Sequence, residues 1–256
     1  MRLELQIALT LPRRGAVHVF GPDRSQRGEL HLPRGAGPFP VVVLLHGGYW
    51  QTRYGKLLMR PLALDLVRRG RAVWNLEYRR LGAGRDGGGG WPMTFEDVAA
   101  GVDHLDRLAA PLELSDVSLV GHSAGGQLAL WGAGRASLPA GAVGAGPRVA
   151  ASRVVALAPV TDLARARVQA EALLGGTAEA QPERWAQADP VRAGAPPVPA
   201  LVVHPTADAT VPVQRSREFC ARHGVPLVET AGTHSDPIDP HSPAWAQAVG
   251  WLERSA

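Results

Sequence analysis

The chain has 256 residues, 45% of them hydrophobic, and a net charge of +4; that length suits a single α/β domain spanning residues 1–256 with a well-buried core. The positive charge is almost all arginine, scattered in runs of no more than two with Lys56 the single lysine, so there is no basic stripe of the kind that binds nucleic acid. No apolar run approaches the roughly 18–20 residues of a membrane-spanning helix, the N-terminal segment lacks the features of a signal peptide, and Cys220 has no cysteine to pair with, which together point to a cytoplasmic protein that neither spans nor binds a membrane.

Apolar runs alternate with helical patterns along the chain, predicting a mostly parallel central sheet flanked by helices in three α/β/α layers. Gly28–Leu32 reads as an early strand. Val41–Leu45 is five consecutive aliphatic residues, as a strand buried on both faces requires. Leu57–Arg69 has helical spacing, and Ala72–Leu76 is the next strand. Leu81–Pro92, with Gly87–Gly90 and Trp91, reads as a loop. Phe95, Val98, Val102 and Leu105 share a helical face, with Thr94 as its cap and Asp97 three residues on. Val117–Val120 and Val154–Leu157 are strands on either side of a small, glycine-rich loop at Pro139–Arg153. Leu163–Pro199 predicts one helical piece followed by proline-rich turns that form an excursion beside the sheet. Leu201–Val203 and Pro226–Glu229 complete the strands. Pro212 opens a helix running to His223 that takes in Cys220 as a small packing residue, and Ser242–Pro243 opens a last helix through Leu252.

Chemistry concentrates where Val117–Val120 ends. Residues 121–125 read Gly-His-Ser-Ala-Gly, between a strand and a helical stretch. A strand, G-x-S-x-G and a helix form the nucleophile elbow of a serine hydrolase, with the Ser123 hydroxyl as nucleophile. Gly121 and Gly125 leave room for a turn that side chains would obstruct, and Ala124 puts a backbone N–H at a helix start, where negative charge is favoured. The motif alone is equally readable as a glycine-rich turn, so the rest of the chain must supply a base and an acid.

In α/β-hydrolases these follow in the order Ser, Asp or Glu, His. Asp208 lies just after the strand Leu201–Val203, and its other reading is a turn residue capping the Pro212 helix. Asp189 sits in a connecting segment, and Asp236 is too near the histidine in sequence. His234 follows Pro226–Glu229 in a loop before the last helix, with His241 its main rival. His122 is expected to point away from the site, and His223 to meet the last carbonyls of its own helix. The run His234–His241 offers two histidines and two aspartates, yet its spacing matches no metal motif, so no metal and no cofactor are expected. Upstream, His46-Gly47-Gly48-Tyr49-Trp50 follows Val41–Leu45 directly. Such a turn aims backbone N–H groups at a developing oxyanion, together with the N–H of Ala124. Tyr49, Trp50 and Trp91 are candidate walls of a small-molecule substrate pocket, Trp50 being equally readable as a core residue and Trp91 leaning to the pocket because its loop is so glycine-rich.

The segments H-G-G-Y-W-Q (46–51) and G-H-S-A-G-G (121–126), with Asp208 and His234, resemble the kynurenine formamidase (arylformamidase) branch of the esterase/lipase-type α/β-hydrolases. E-Y-R-R (77–80), G-G-W-P (89–92) and I-D-P-x-S-P-A-W (238–245) resemble bacterial hydrolases near that branch. The resemblance runs from about Gly21 to Leu252. It implies an α/β-hydrolase fold and a metal-free, cofactor-free enzyme cleaving a small ester or an aryl formamide. Ser123, Asp208 and His234 would be the triad, with oxyanion contacts from Gly47, Gly48 and Ala124. Two departures flank the triad: Pro205 stands where relatives often carry glycine, and Ser235 where phenylalanine is common. A general carboxylesterase is the close alternative. A dipeptidyl-peptidase-like exopeptidase and a non-catalytic hydrolase-fold binding protein are more distant ones, and homo-oligomerisation is left open.

Overall fold

A computed structural model of the chain describes residues 3–84 and 86–254. Its strands are β1 (Ala16–Val19), β2 (Arg27–His31), β3 (Phe39–Leu45), β4 (Ala72–Leu76), β5 (Leu112–His122), β6 (Arg153–Leu157), β7 (Ala200–Pro205) and β8 (Leu227–Thr230). They form one sheet in the order β1-β2-β4-β3-β5-β6-β7-β8. The pairs β1–β2 and β2–β4 are antiparallel, and every pair from β4 through β3 to β8 is parallel. The helices are α1 (Leu3–Thr10), α2 (Arg60–Arg68), α3 (Met93–Asp103), α4 (Ala124–Gly134), α5 (Arg167–Leu174), α6 (Pro182–Ala188), α7 (Pro190–Ala193), α8 (Val213–His223) and α9 (Pro243–Arg254).

The aliphatic run of β3 explains the layering. Successive side chains of a strand point to opposite faces. Val41, Val43 and Leu45 therefore join one apolar core with Phe95 and Val102 of α3, Leu128 of α4 and Phe219 of α8. Val42 and Leu44 join the other, with Leu62 and Leu66 of α2 and Trp245 and Leu252 of α9. The result is the three-layer α/β-hydrolase architecture expected. Because β3, β5, β7 and β8 run in one direction, the turns that follow them emerge on one rim of the sheet, where open α/β sheets place their ligand sites.

Several local expectations change. Strand β5 extends five residues further back than the Val117–Val120 run, and its pairing with β3 shifts register between Pro40 and Val41; the irregularity and the polar Glu113 and Ser115 mask the strand signal. Thr94 does not cap α3 as expected. Its hydroxyl accepts from the Gly90 N–H (2.9 Å) and donates to the Arg79 carbonyl (2.7 Å), and Asp97 accepts two hydrogen bonds from the Arg79 guanidinium and one from the Arg79 backbone N–H. The excursion at 163–199 holds three helices, because Pro182 and Pro190 sit in the first turns of α6 and α7, where a missing N–H costs nothing. His223 donates to the Val191 carbonyl of α7 (3.2 Å) and not to its own helix. Cys220 is a buried packing residue of α8, and burial pushes its thiol up to about 12.

Candidate active site

Ser123 sits between β5 and α4 with φ 55° and ψ −118°, a backbone conformation that L-residues rarely adopt. The surroundings hold it there. Its N–H donates to the Leu157 carbonyl of β6 (2.8 Å), and its carbonyl accepts from Gly126 (2.9 Å), Gln127 and Val160 (both 3.2 Å). The flanking glycines are required by space. A Cβ on Gly121 would collide with the Gly125 carbonyl, and one on Gly125 would collide with the carbonyls of Leu45 and His46. The elbow is thus packed backbone to backbone against the end of β3.

Asp208 lies in the turn after β7 and His234 in the turn after β8. His234 Nδ1–H donates to Asp208 Oδ2 (2.6 Å), and its Nε2 lies 3.0 Å from Ser123 Oγ, in place to accept the hydroxyl proton. The other Asp208 oxygen accepts from the N–H groups of Thr210 and Val211 (2.8 Å each). His204 of β7 donates from Nε2 to the Val211 carbonyl (2.8 Å) and to Asp208 Oδ2 (3.2 Å), while Ser216 of α8 donates to its Nδ1 (2.7 Å). Burial of Asp208 opposes ionisation, but the hydrogen bonds from His204, His234 and Val211 prevail and hold its carboxyl well below the usual carboxylate range.

The rival residues are occupied elsewhere. Asp189 accepts from the Leu163 N–H (3.1 Å) and pairs with Arg192 (3.3 Å); burial pushes its carboxyl up to about 6. Asp236 accepts from the Thr233 N–H and so shapes the loop that carries His234. His241 is exposed, and its backbone N–H bonds Asp239. Among the described residues, no three His, Cys, Asp or Glu side chains are grouped closely enough to hold a metal ion.

The turn after β3 brings its backbone against the elbow. A Cβ on Gly47 would fall 3.0 Å from Ser123 Cβ and 2.8 Å from the His122 carbonyl. Gly48, Tyr49 and Trp50 all have positive φ (113°, 53° and 57°), an unusual turn for two aromatic residues. His46 anchors its start. Its Nε2 donates to Glu77 Oε1 (2.7 Å), its Nδ1 lies 2.8 Å from the Gly47 carbonyl, and the ring stacks on Tyr78, whose hydroxyl donates to the His46 carbonyl (2.6 Å). Burial opposes ionisation of Glu77, and the charge and hydrogen bond of His46, with Arg80, hold its carboxyl below the ordinary range. Glu77 and Tyr78 belong to the E-Y-R-R segment, to which the sequence alone assigns no role. Their position directly after β4, beside β3, was the available signal. A Gly47→Ala variant should stay folded and lose about 10- to 100-fold in kcat on p-nitrophenyl acetate, because the added methyl must displace the turn from Ser123; an unchanged kcat would show that the turn does not serve the site.

The expected pocket walls divide. Tyr49 is half-buried; its hydroxyl is raised above the ordinary value by burial and then by the Asp208 charge. Trp50 takes its core reading. It is fully buried in the core, and its indole N–H donates to Gln127 of α4 (3.2 Å), whose amide donates to the Ala188 carbonyl (2.8 Å). The left-handed backbone at Trp50 turns its ring inward, so the residue pins the turn. Trp91 packs on Phe95 (4.8 Å between ring centroids) and lines a cavity of about 740 Å³ with Leu130, Trp131 and Val143. That cavity's lining includes none of Ser123, Asp208 and His234.

The BD-FAE family model matches residues 29–222, three quarters of the chain. No curated protein matches significantly. Among solved structures, a carbohydrate esterase from gut microbiota superposes with a TM-score of 0.76 at 17% identity, covering 94% of this chain and 96% of that one. An esterase from the planctomycete Thermogutta terrifontis, with propionate bound, gives 0.73 at 21% identity, covering 94% of each chain. An acetyl ester-xyloside bifunctional hydrolase from Caldicellulosiruptor lactoaceticus gives 0.73 at 20% identity, covering 94% of this chain and 96% of that one. At these identities the superpositions establish the fold. No helix among the described residues is long and apolar enough to cross a membrane.

Proposed function

The chain belongs to the BD-FAE family, and on that premise we propose that it is a serine esterase that cleaves small acyl esters through an acyl-enzyme on Ser123. The observation that carries this reading is the hydrogen-bonded series from Ser123 Oγ through His234 to Asp208, at 3.0 and 2.6 Å. His234 Nε2 takes the Ser123 proton as Oγ attacks the carbonyl carbon. Asp208 keeps the proton on Nδ1 and stabilises the imidazolium that forms. The tetrahedral oxyanion rests on backbone N–H groups of Gly47, Gly48 and Ala124; the last begins α4 and has no intrahelical partner. His234 then protonates the leaving oxygen. A water, deprotonated by the same nitrogen, attacks the acyl-enzyme and releases the acid.

Aryl formamide cleavage by the same groups is the second reading. It is supported by the His46–Gln51 segment, whose Tyr49 is half-buried on the turn that packs against the elbow. In this reading the enzyme acts in the cytoplasm, in keeping with its single, buried cysteine. A substrate panel separates the two: p-nitrophenyl esters of increasing acyl length, an acetylated sugar and N-formylkynurenine. Acetyl and propionyl esters should give the highest kcat/KM. A higher value on N-formylkynurenine would select the formamidase reading. No turnover of any member, with no labelling by a fluorophosphonate probe, would overturn both in favour of a non-catalytic binding protein.

A further inference from the structure

His122, the residue between Gly121 and the elbow serine, has no part in the proton transfers above, yet it touches the two other segments of the site. It is almost fully buried. Its Nε2 lies 2.8 Å from the main-chain carbonyl of His234, and the two rings are 4.7 Å apart. Its Nδ1 edge backs onto the turn after β3, 3.1 Å from where a Cβ on Gly47 would stand. A carbonyl only accepts, so the His122 proton is on Nε2. Burial and the neighbouring His234 push the ring down to about 3, which keeps it neutral. His122 and Ser123 are adjacent, so one rigid elbow carries both the nucleophile and a clamp on the segment bearing its base.

Resting on the hydrolase reading above, we propose that His122 is a positioning residue: its Nε2–H grips the His234 carbonyl and so sets the His234 ring over Ser123, while the same ring abuts the Gly47 turn. The loop after β8 is shaped from within by Asp236, which accepts from the Thr233 N–H and donates its own N–H to the Thr233 carbonyl (3.0 Å), and Asp208 holds the His234 ring at Nδ1; the His122 bond ties the His234 main chain to the elbow itself. The loop's main chain is tied to the β7 side by Ala207 N–H to the Gly232 carbonyl (3.0 Å), two residues before the base. Losing the clamp lets His234 drift relative to Ser123 Oγ, and misplacement of about 1 Å costs about 100-fold in rate.

The test compares His122→Leu, which fills the space without a donor, with His122→Gln, which keeps a terminal N–H donor. In the full chain, with p-nitrophenyl acetate, His122→Leu should lose about 100-fold in kcat with little change in KM. Its fluorophosphonate labelling should slow in parallel, while thermal unfolding stays cooperative. His122→Gln should recover most of the loss. A folded His122→Leu with parental kcat, or a folded His122→Gln no faster than His122→Leu, would overturn the proposal. Long-range ¹H–¹⁵N NMR on the unmutated protein gives a second readout that needs no folded variant. A His122 resonance fixed as the neutral Nε2–H form between about pH 5 and 8 supports the clamp, and an Nδ1–H form overturns it. Full activity in Ser123→Ala would sink the hydrolase reading itself, whereas an inactive Ser123→Ala beside a fully active His122→Leu would sink only the clamp.

Discussion

Ser123→Ala should lower kcat for p-nitrophenyl acetate by roughly 10⁵- to 10⁶-fold and abolish fluorophosphonate labelling. The alanine keeps the backbone bonds that hold the elbow, since these run from the Ser123 N–H to Leu157 and from its carbonyl to Gly126, Gln127 and Val160. The hydroxyl contributes one side-chain hydrogen bond, to His234, and the imidazole it leaves is partly open to solvent, so it can bond water instead. The melting temperature should therefore change little. The oxyanion donors and the binding surface stay in place, which is why a small residual rate over the uncatalysed reaction is expected. A variant that keeps more than a tenth of the parental kcat would show that Ser123 is not the nucleophile.

How much of this was legible in the sequence depends on how local the cause is. Val41–Leu45 announces a doubly buried strand because burial on both faces needs an unbroken aliphatic run. The elbow is legible because its glycines answer a local steric demand. Asp208 and His234 follow because parallel strands return each turn to the same rim. Elements whose signal is short or inverted escape notice. Strand β1 has four residues at the sheet edge, with Val17 and Val19 exposed, and α1 buries Gln6 and Thr10 while leaving Leu5 and Leu9 in solvent; hydrophobic periodicity reports neither. Trp50 is equally readable in the sequence as pocket wall or core residue, because its direction is set by a left-handed backbone that composition does not reveal. His122 and Glu77 were missed as site residues because their partners, the His234 carbonyl and the His46 ring, are 112 and 31 residues away in the chain. Only the sheet order makes them neighbours.

Asp208→Asn should be nearly as damaging to catalysis as loss of the serine, through the tautomer of the base. Both carboxylate oxygens are fully engaged as acceptors: Oδ1 from two backbone N–H groups, Oδ2 from His204 and His234. An amide must turn its NH₂ toward one of these donor pairs. Facing His204 and His234, it forces the His234 proton from Nδ1 to Nε2, and the nitrogen that should accept the Ser123 proton no longer can. Facing Thr210 and Val211, it sets donors against donors and disturbs the turn itself. Either way kcat should fall by about 10⁴-fold, and a loss under tenfold would remove Asp208 from the mechanism. Stability should register the same change with a defined sign. The folded Asp208 carboxyl lies below its ordinary 3.8 because, against burial, the histidine and backbone hydrogen bonds favour the ionised form. Its contribution is therefore fully present above about pH 3.8 and drains away as the pH falls toward the folded value. The asparagine variant has no such group to titrate. The gap in melting temperature between parent and variant should be widest near neutrality and should close in acid; a gap that widens on acidification would mean that the charge on Asp208 is a burden the fold carries for catalysis.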